Sequence, residues 1–306
     1  MELAINIILG MMLAATPLLF AATGELVVER AGVLNLGVEG MMVIGAVAGF
    51  IVTAESGSHL AGIVGAAIAG AAMALLFGLM TQVLLANQVA SGLALTIFGL
   101  GLSALLGSGY SGLSIPALAR IEIPVLTDIP FFGPLLFRHE PMFYLSILLL
   151  VLTGWFLTRT RAGLILKAVG ENHDAAHAIG HPVVLIRLLA LAWGGALAGL
   201  GGAYLSIART PLWSEEMTAG RGWIALAIVV FAGWRTNRAL LGAYLFGGVT
   251  ILQLHVQGLG IAIPSQYLSM LPYLVTIAVL VAISASPTRA MLRAPGSLGR
   301  TFHAQG

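Results

Sequence analysis

Apolar residues fill this chain in long blocks, separated by short polar breaks, with little of the alternation or three-to-four-residue striping of a soluble fold. A helix needs about 20 mostly apolar residues to cross about 30 Å of hydrocarbon. Blocks of that kind predict spans at Leu3–Val28, Val38–Thr53, Leu60–Leu85, Val89–Leu106 and Met142–Leu157. Further spans are predicted at Pro182–Ala208, Met217–Trp234, Ala239–Val256 and Tyr267–Ser284. The window gives about nine crossings. No charge-rich block interrupts the series, so an all-α, polytopic membrane helix bundle is expected, one domain over residues 1–306.

Composition sharpens that class. Hydrophobic residues make up 59% of the chain and charged ones 8%, against about a quarter charged in soluble domains. Cysteine is absent, which excludes disulfides, thiolate metal sites and cysteine nucleophiles. The pI near 9.2 comes with a net charge of only +2, and the basic residues sit between apolar blocks. Membrane topology therefore accounts for them better than nucleic acid does. Met1-Glu2-Leu3 lacks the basic start of a cleaved signal peptide, so the first block is expected to be a retained span.

Placing Arg159–Arg187 in the cytoplasm carries Arg30, the Arg235–Arg238 turn and the Arg289–Arg300 tail to the same side. Of the 14 Lys and Arg, only Arg120, Arg138, Arg209 and Arg221 are then outside, together with Glu2, Glu55, Glu122, Asp128, Glu140, Glu215 and Glu216. The positive-inside bias predicts an outside N-terminus and an inside C-terminus. Two small-residue stripes, Gly194/Ala198/Gly202 and Gly62/Ala66/Gly70, are expected to let helix backbones approach closely.

The long polar break at 159–187 holds a second signal. Asn172 is a natural N-cap, Asp174 suits the first turn, and Gly180 suits a left-handed helix end. Pro182 then opens the next span at its first position. A short, separately capped helix over Glu171–Ile179 is predicted, and a chain merely crossing back has no need of one.

These residues carry a family resemblance. Residues 159–187 resemble the cytoplasmic coupling loop of ABC permeases in the branched-chain amino acid, ribose and nucleoside group. Glu29-Arg30-Ala31-Gly32-Val33-Leu34-Asn35-Leu36-Gly37-Val38-Glu39-Gly40 is similar to the first signature of the nucleoside (guanosine-type) permeases. Asn87–Ala94, Met217–Leu226, Ile263–Tyr267 and Leu271–Tyr273 are similar to later stretches, so the likeness runs in order from about residue 12 to residue 285. His173 departs from the Pro that relatives often carry there. The resemblance implies an ABC importer permease fold, a second permease that is often a paralogue, an ATPase subunit, and an extracytoplasmic binding lipoprotein in a bacterial inner membrane. It also implies that Glu171, Asn172, Asp174 and His177 couple to the ATPase. The chain has no Gly-x-x-x-x-Gly-Lys-Ser/Thr loop, so ATP and Mg are expected to bind the partner, with no cofactor held by this chain.

Polar residues at membrane depth are the candidate solute contacts, because leaving them unpaired in lipid is costly. Asn35 and Glu39 lie on a segment broken by Gly32, Gly37 and Gly40. Irregular backbone at depth survives only beside protein or a water-filled cavity. Asn87, Gln88 and Ser91 sit at a second break, and Arg221 opens an apolar run too short to cross alone. Ordinary polar turns and a snorkelling arginine are the plain alternatives. Phe98, Trp193, Trp223 and Phe231 could stack on a nucleobase. The seven His show no paired metal-ligand spacing on one helix face, so no metal is expected.

The expected function is a nucleoside permease, with a ribose-like monosaccharide or a purine-breakdown product as the alternative. A membrane-embedded enzyme is disfavoured, because no His-Glu-x-x-His, Ser/His/Asp set or paired intramembrane carboxylates are expected, Glu39 being read as standing alone. An ion-driven transporter would need an intramembrane acid or His relay, which Glu39 alone does not supply.

Overall fold

A computed structural model describes residues 2–122, 129, 132–258, 264–284 and 294–303. Asp128, Ile263, Arg289 and Arg293 lie outside the described residues.

The apolar blocks become helices whose ends are set by the polar breaks. The first, α1 (Glu2–Arg30), is followed by α2 (Val38–Ser56), which stops at Gly57 with φ 68° and an N–H bonded to Thr53. Ser58 and Asn87 cap α3 (His59–Gly78) and α4 (Gln88–Gly107) by accepting from the amides of Ala61 and Ala90. The outer loop carries the ribbon β1 (Ile121–Glu122) and β2 (Arg138–His139) and the turn α5 (Phe132–Leu136). Pro141 opens α6 (Pro141–Arg159). Thr160 caps α7 (Arg161–Glu171), and Asn172 caps α8 (His173–Ala178). Then come α9 (Val183–Ala203), α10 (Arg221–Ala232), α11 (Thr236–Gly258), α12 (Ser265–Ser269) and α13 (Leu271–Ser284).

Among the described residues, seven helices are long and apolar enough to cross a membrane. Two of the about nine expected spans are not continuous helices of that length. The predicted span Met217–Trp234 holds only the 12-residue α10, because Glu216, Ala219 and Gly220 take left-handed backbone at φ 53°, 47° and 76° and delay the helix. The predicted span Tyr267–Ser284 is divided into α12 and the 14-residue α13 at Met270, two residues before Pro272. Proline has no N–H to donate back to Leu268, so the hydrogen-bond ladder is interrupted there.

Helix α9 is the axle of the bundle and packs against α1, α2 and α3. Its glycines make that possible. A Cβ added to Gly199 would strike the Ala66 carbonyl, one on Gly202 would strike that of Met42, and one on Gly195 would strike Ala74 and Gly70. Both predicted small-residue stripes therefore lie in helix contacts, where removing side chains brings backbones together. Two helices end in π turns, Leu79–Val83 after α3 and Tyr204–Arg209 after α9. Such turns re-aim side chains and recur at functional sites. Here the first one buries Thr81 and Gln82.

Candidate functional site

The glycine-broken segment between α1 and α2 folds back into the bundle. Gly32 takes φ 85°, a conformation that favours glycine. Asn35 Nδ2 then donates to Glu25 Oε2 at 3.2 Å. Glu25 precedes the end of α1 by five residues, which lifts Asn35 about 7 Å back along that helix. Asn35 Oδ1 accepts from the Gly37 amide at 3.0 Å and closes the turn that starts α2. Both Asn35 and Glu25 are 1% exposed.

Glu39, in the first turn of α2, faces a second helix start. Its Oε1 accepts from Thr218 Oγ1 at 2.5 Å and from the Gly220 amide at 2.8 Å, and its Oε2 accepts from the Gly222 amide at 2.6 Å. The carboxylate thus lies where the positive ends of α2 and α10 converge, which offsets its burial. Gly222 permits the approach: a Cβ there would meet Glu39 Cα at 2.6 Å. Arg221 turns back on its own lead-in and donates to the Met217 and Thr218 carbonyls at 2.9 and 3.0 Å.

The start of α4 closes the third side. Gln88 Oε1 accepts from the Leu34 amide at 2.8 Å, and Thr96 Oγ1 donates to the Leu36 carbonyl at 3.2 Å. Gly92 leaves room for the Leu36 and Gly37 amides. Trp223 Nε1 reaches the same Leu36 carbonyl at 3.4 Å while its side chain stays exposed. Of the sequence-predicted residues, Asn35, Glu39, Gln88 and Arg221 meet at this joint. Ser91 is buried one turn into α4, and Asn87 is exposed as the α4 cap. Two buried polar atoms at the joint, Glu25 Oε1 and Gln88 Nε2, have no hydrogen-bond partner.

Below the joint lies a hub built around Arg187, whose position in the sequence predicts only a loop charge. Arg187, on the first turns of α9, is fully buried. Its guanidinium donates to Ala31 O at 3.2 Å, Gln82 Oε1 at 3.2 Å and Arg300 O at 3.1 Å, and it lies 3.1 Å from His173 Nδ1. An arginine five residues into an apolar block was the available signal. The tail at residues 295–303 folds onto the same point: Ser297 N donates to Gly170 O, the His173 amide donates to Ser297 Oγ, and Gly299 N donates to Gly32 O. Phe302 packs edge-on against His173 and His177. His173 occupies the first helical position of α8, which proline fills readily. Unlike proline, histidine supplies both the amide to Ser297 and the ring nitrogen beside Arg187.

Helix α8 begins two residues later than predicted, because Glu171 ends α7. Asn172 Oδ1 accepts from Ala175 N at 2.9 Å, and Gly180 takes φ 93°. Ala176 and His173 point inward, whereas Glu171, Asp174, His177 and Ile179 are exposed. Among the described residues, no three His, Asp or Glu side chains gather as a metal site would require.

Residues 7–280 match the family described as the branched-chain amino acid transport system / permease component. The chain is 40% identical to a protein of Haloferax volcanii provisionally named a glucose ABC transporter permease, over 99% of both chains. It is 33% identical to a nucleoside ABC transporter permease of Lactococcus lactis over 90% of each. With a guanosine ABC transporter permease of Bacillus subtilis the identity is 31%, over 86% of this chain and 87% of the relative. No solved structure matches the chain. Relatives of this kind are transport components and not enzymes, the ATPase being a partner subunit. Seven apolar helices, a joint built from three helix starts, and a match that runs through nearly the whole bundle agree: this multi-pass membrane protein belongs to the ABC transporter permease family of the branched-chain amino acid type.

Proposed function

We propose that this permease subunit translocates a nucleoside, and that the joint of α1, α2, α4 and α10 forms part of the wall of its path. The observation that carries the reading is unused hydrogen-bonding capacity beside an aromatic ring. Gln88 Nε2 offers a donor, Glu25 Oε1 an acceptor, and the exposed Trp223 ring lies against the same turn. A base suits the exposed ring, and the two enclosed polar atoms become available to ribose hydroxyls as the joint opens during transport. Asn35, Glu39, Ser91 and Arg221 hold that wall in shape, and Asn87 fixes the start of α4. The nucleoside and guanosine permeases of Lactococcus and Bacillus support the substrate class. A monosaccharide is the second reading, favoured by the 40% identity to the protein named for glucose.

In this reading the chain lies in a bacterial inner membrane, with its N-terminus outside and its C-terminus in the cytoplasm. A paralogous permease completes the pore, and a binding lipoprotein delivers the solute. An ATPase subunit that binds ATP and Mg docks on the outward face of α8 through Asp174 and His177 and on the end of α7 through Glu171, with Asn172 holding α8 in place.

Uptake of labelled guanosine into vesicles containing the complete transporter is the test. Unlabelled nucleosides should compete, and glucose and ribose should not; uptake of labelled glucose or ribose with none of guanosine establishes the second reading. Gln88→Leu removes one joint hydrogen bond, worth about 1 kcal/mol, so uptake should fall about fivefold with insertion unchanged. Normal uptake by that variant would take the joint out of the path.

A further inference from the structure

A pocket of about 890 Å³ opens between the lower half of α6 and the start of α11, away from the joint. Five cations line it: Arg30, Arg159, Lys167, Arg235 and Arg238. Among the described residues, only Arg30 has a carboxylate near, with its Nη1 4.0 Å from Glu171. No acidic side chain lines the pocket. So many like charges around one space repel unless an anion joins them.

The upper wall says which anion. From Arg159 the pocket climbs α6 past Trp155, Gly154 and Val151 to Leu150, about 13 Å of helix. Val151 is 61% and Trp155 59% exposed. A soluble anion would leave that apolar wall in water, and an acidic protein segment would not reach up a membrane helix. A phospholipid uses both halves, with phosphate at the cations and acyl chain along α6. Trp155 lies between the two, at the depth where amphipathic aromatics settle.

We propose that this pocket binds an anionic phospholipid, its phosphate held by the cations and an acyl chain laid along α6. Basic pockets between membrane helices on the positively charged face suit such headgroups. The site is tied to the transport machinery. Arg30 Nε and Nη2 donate to the Trp234 carbonyl at 3.2 and 2.9 Å, and Trp234 Nε1 donates to Glu29 at 2.5 Å. The cation ring therefore holds the end of α1, immediately before the folded-back joint.

Native mass spectrometry of the purified transporter, titrated with diphosphatidylglycerol, phosphatidylcholine or inorganic phosphate, tests this. One diphosphatidylglycerol should be retained, and R235Q/R238Q should weaken its binding about tenfold or more. R235K/R238K should keep most of it, and R120Q/R138Q on the opposite face should change nothing. Should the glutamine variant fail to fold, Thr158→Cys in the otherwise cysteine-free chain gives a second measurement. Maleimide labelling there should slow in vesicles containing diphosphatidylglycerol and not in phosphatidylcholine alone. Equal retention of phosphatidylcholine overturns the proposal. Saturation by inorganic phosphate would make it a soluble-anion site, and loss of the ATPase subunit from R235Q/R238Q with lipid retained would make it a protein-docking face. Either result refutes it.

Discussion

Two buried charges are solved in different ways. Glu39 is satisfied by one short segment, three donors from the turn and first residues of α10 together with the positive ends of two helices. Arg187 is satisfied by parts of the chain remote from it in sequence, namely Ala31, Gln82, His173 and Arg300. His173 gives that hub a pH dependence. Burial first, then the Arg187 guanidinium, hold its imidazole below the ordinary value, with Asp174 opposing and Arg300 adding to the effect. The unfolded imidazole takes up a proton near about pH 6.5, and the folded one only at lower pH. Neutral His173 therefore contributes stability that is complete above the unfolded value and is lost as pH falls through the folded one. Thermal unfolding of the purified protein should show a loss of stability on acidification that His173→Asn flattens. An unchanged slope in that variant would place the sensitivity elsewhere.

At the scale of elements, α8 depends on its caps. Six residues are too few to hold a helix by propensity alone. Asn172 and Gly180 fix its ends, and Ala176 and Phe302 anchor its inner face. The outer face presents Asp174 and His177, with Ile179 73% exposed at its end. An apolar knob ringed by polar groups is how a docking contact concentrates its energy. Asp174→Ala combined with His177→Ala should lower transport-coupled ATP hydrolysis about tenfold while the chain still inserts. Full coupling in reconstituted vesicles would exclude α8 as the docking element.

The whole molecule leaves large apolar faces on α3 and α4, where Ile68 is 64% and Ile97 and Leu105 are 72% exposed. Lipid or a partner permease would cover such faces. In the proposed reading the joint supplies one wall of the path, and a second permease supplies the rest. The active transporter should contain one copy of this chain and one of a different permease, with the ATPase and the binding protein. A fully active complex containing two copies of this chain as its only permeases, weighed by native mass spectrometry, would overturn the heteromeric assignment.

Length of apolar block and position of caps are local properties, and they were legible in the residues. Seven spans, the Asn172 cap, the Gly180 helix end and both small-residue stripes follow from hydropathy, turn chemistry and spacing. The family was legible too, from motifs that recur in order over most of the chain. Tertiary structure alone decided that α10 starts late, because the carboxylate taking its first amides arrives from residue 39, some 180 positions away in sequence. It also decided that Arg187 and Phe302 belong to the same assembly as Gly32. An arginine among apolar residues can face lipid headgroups, a cavity or the chain's own carbonyls, and only the folded chain determines which acceptors come within about 3 Å.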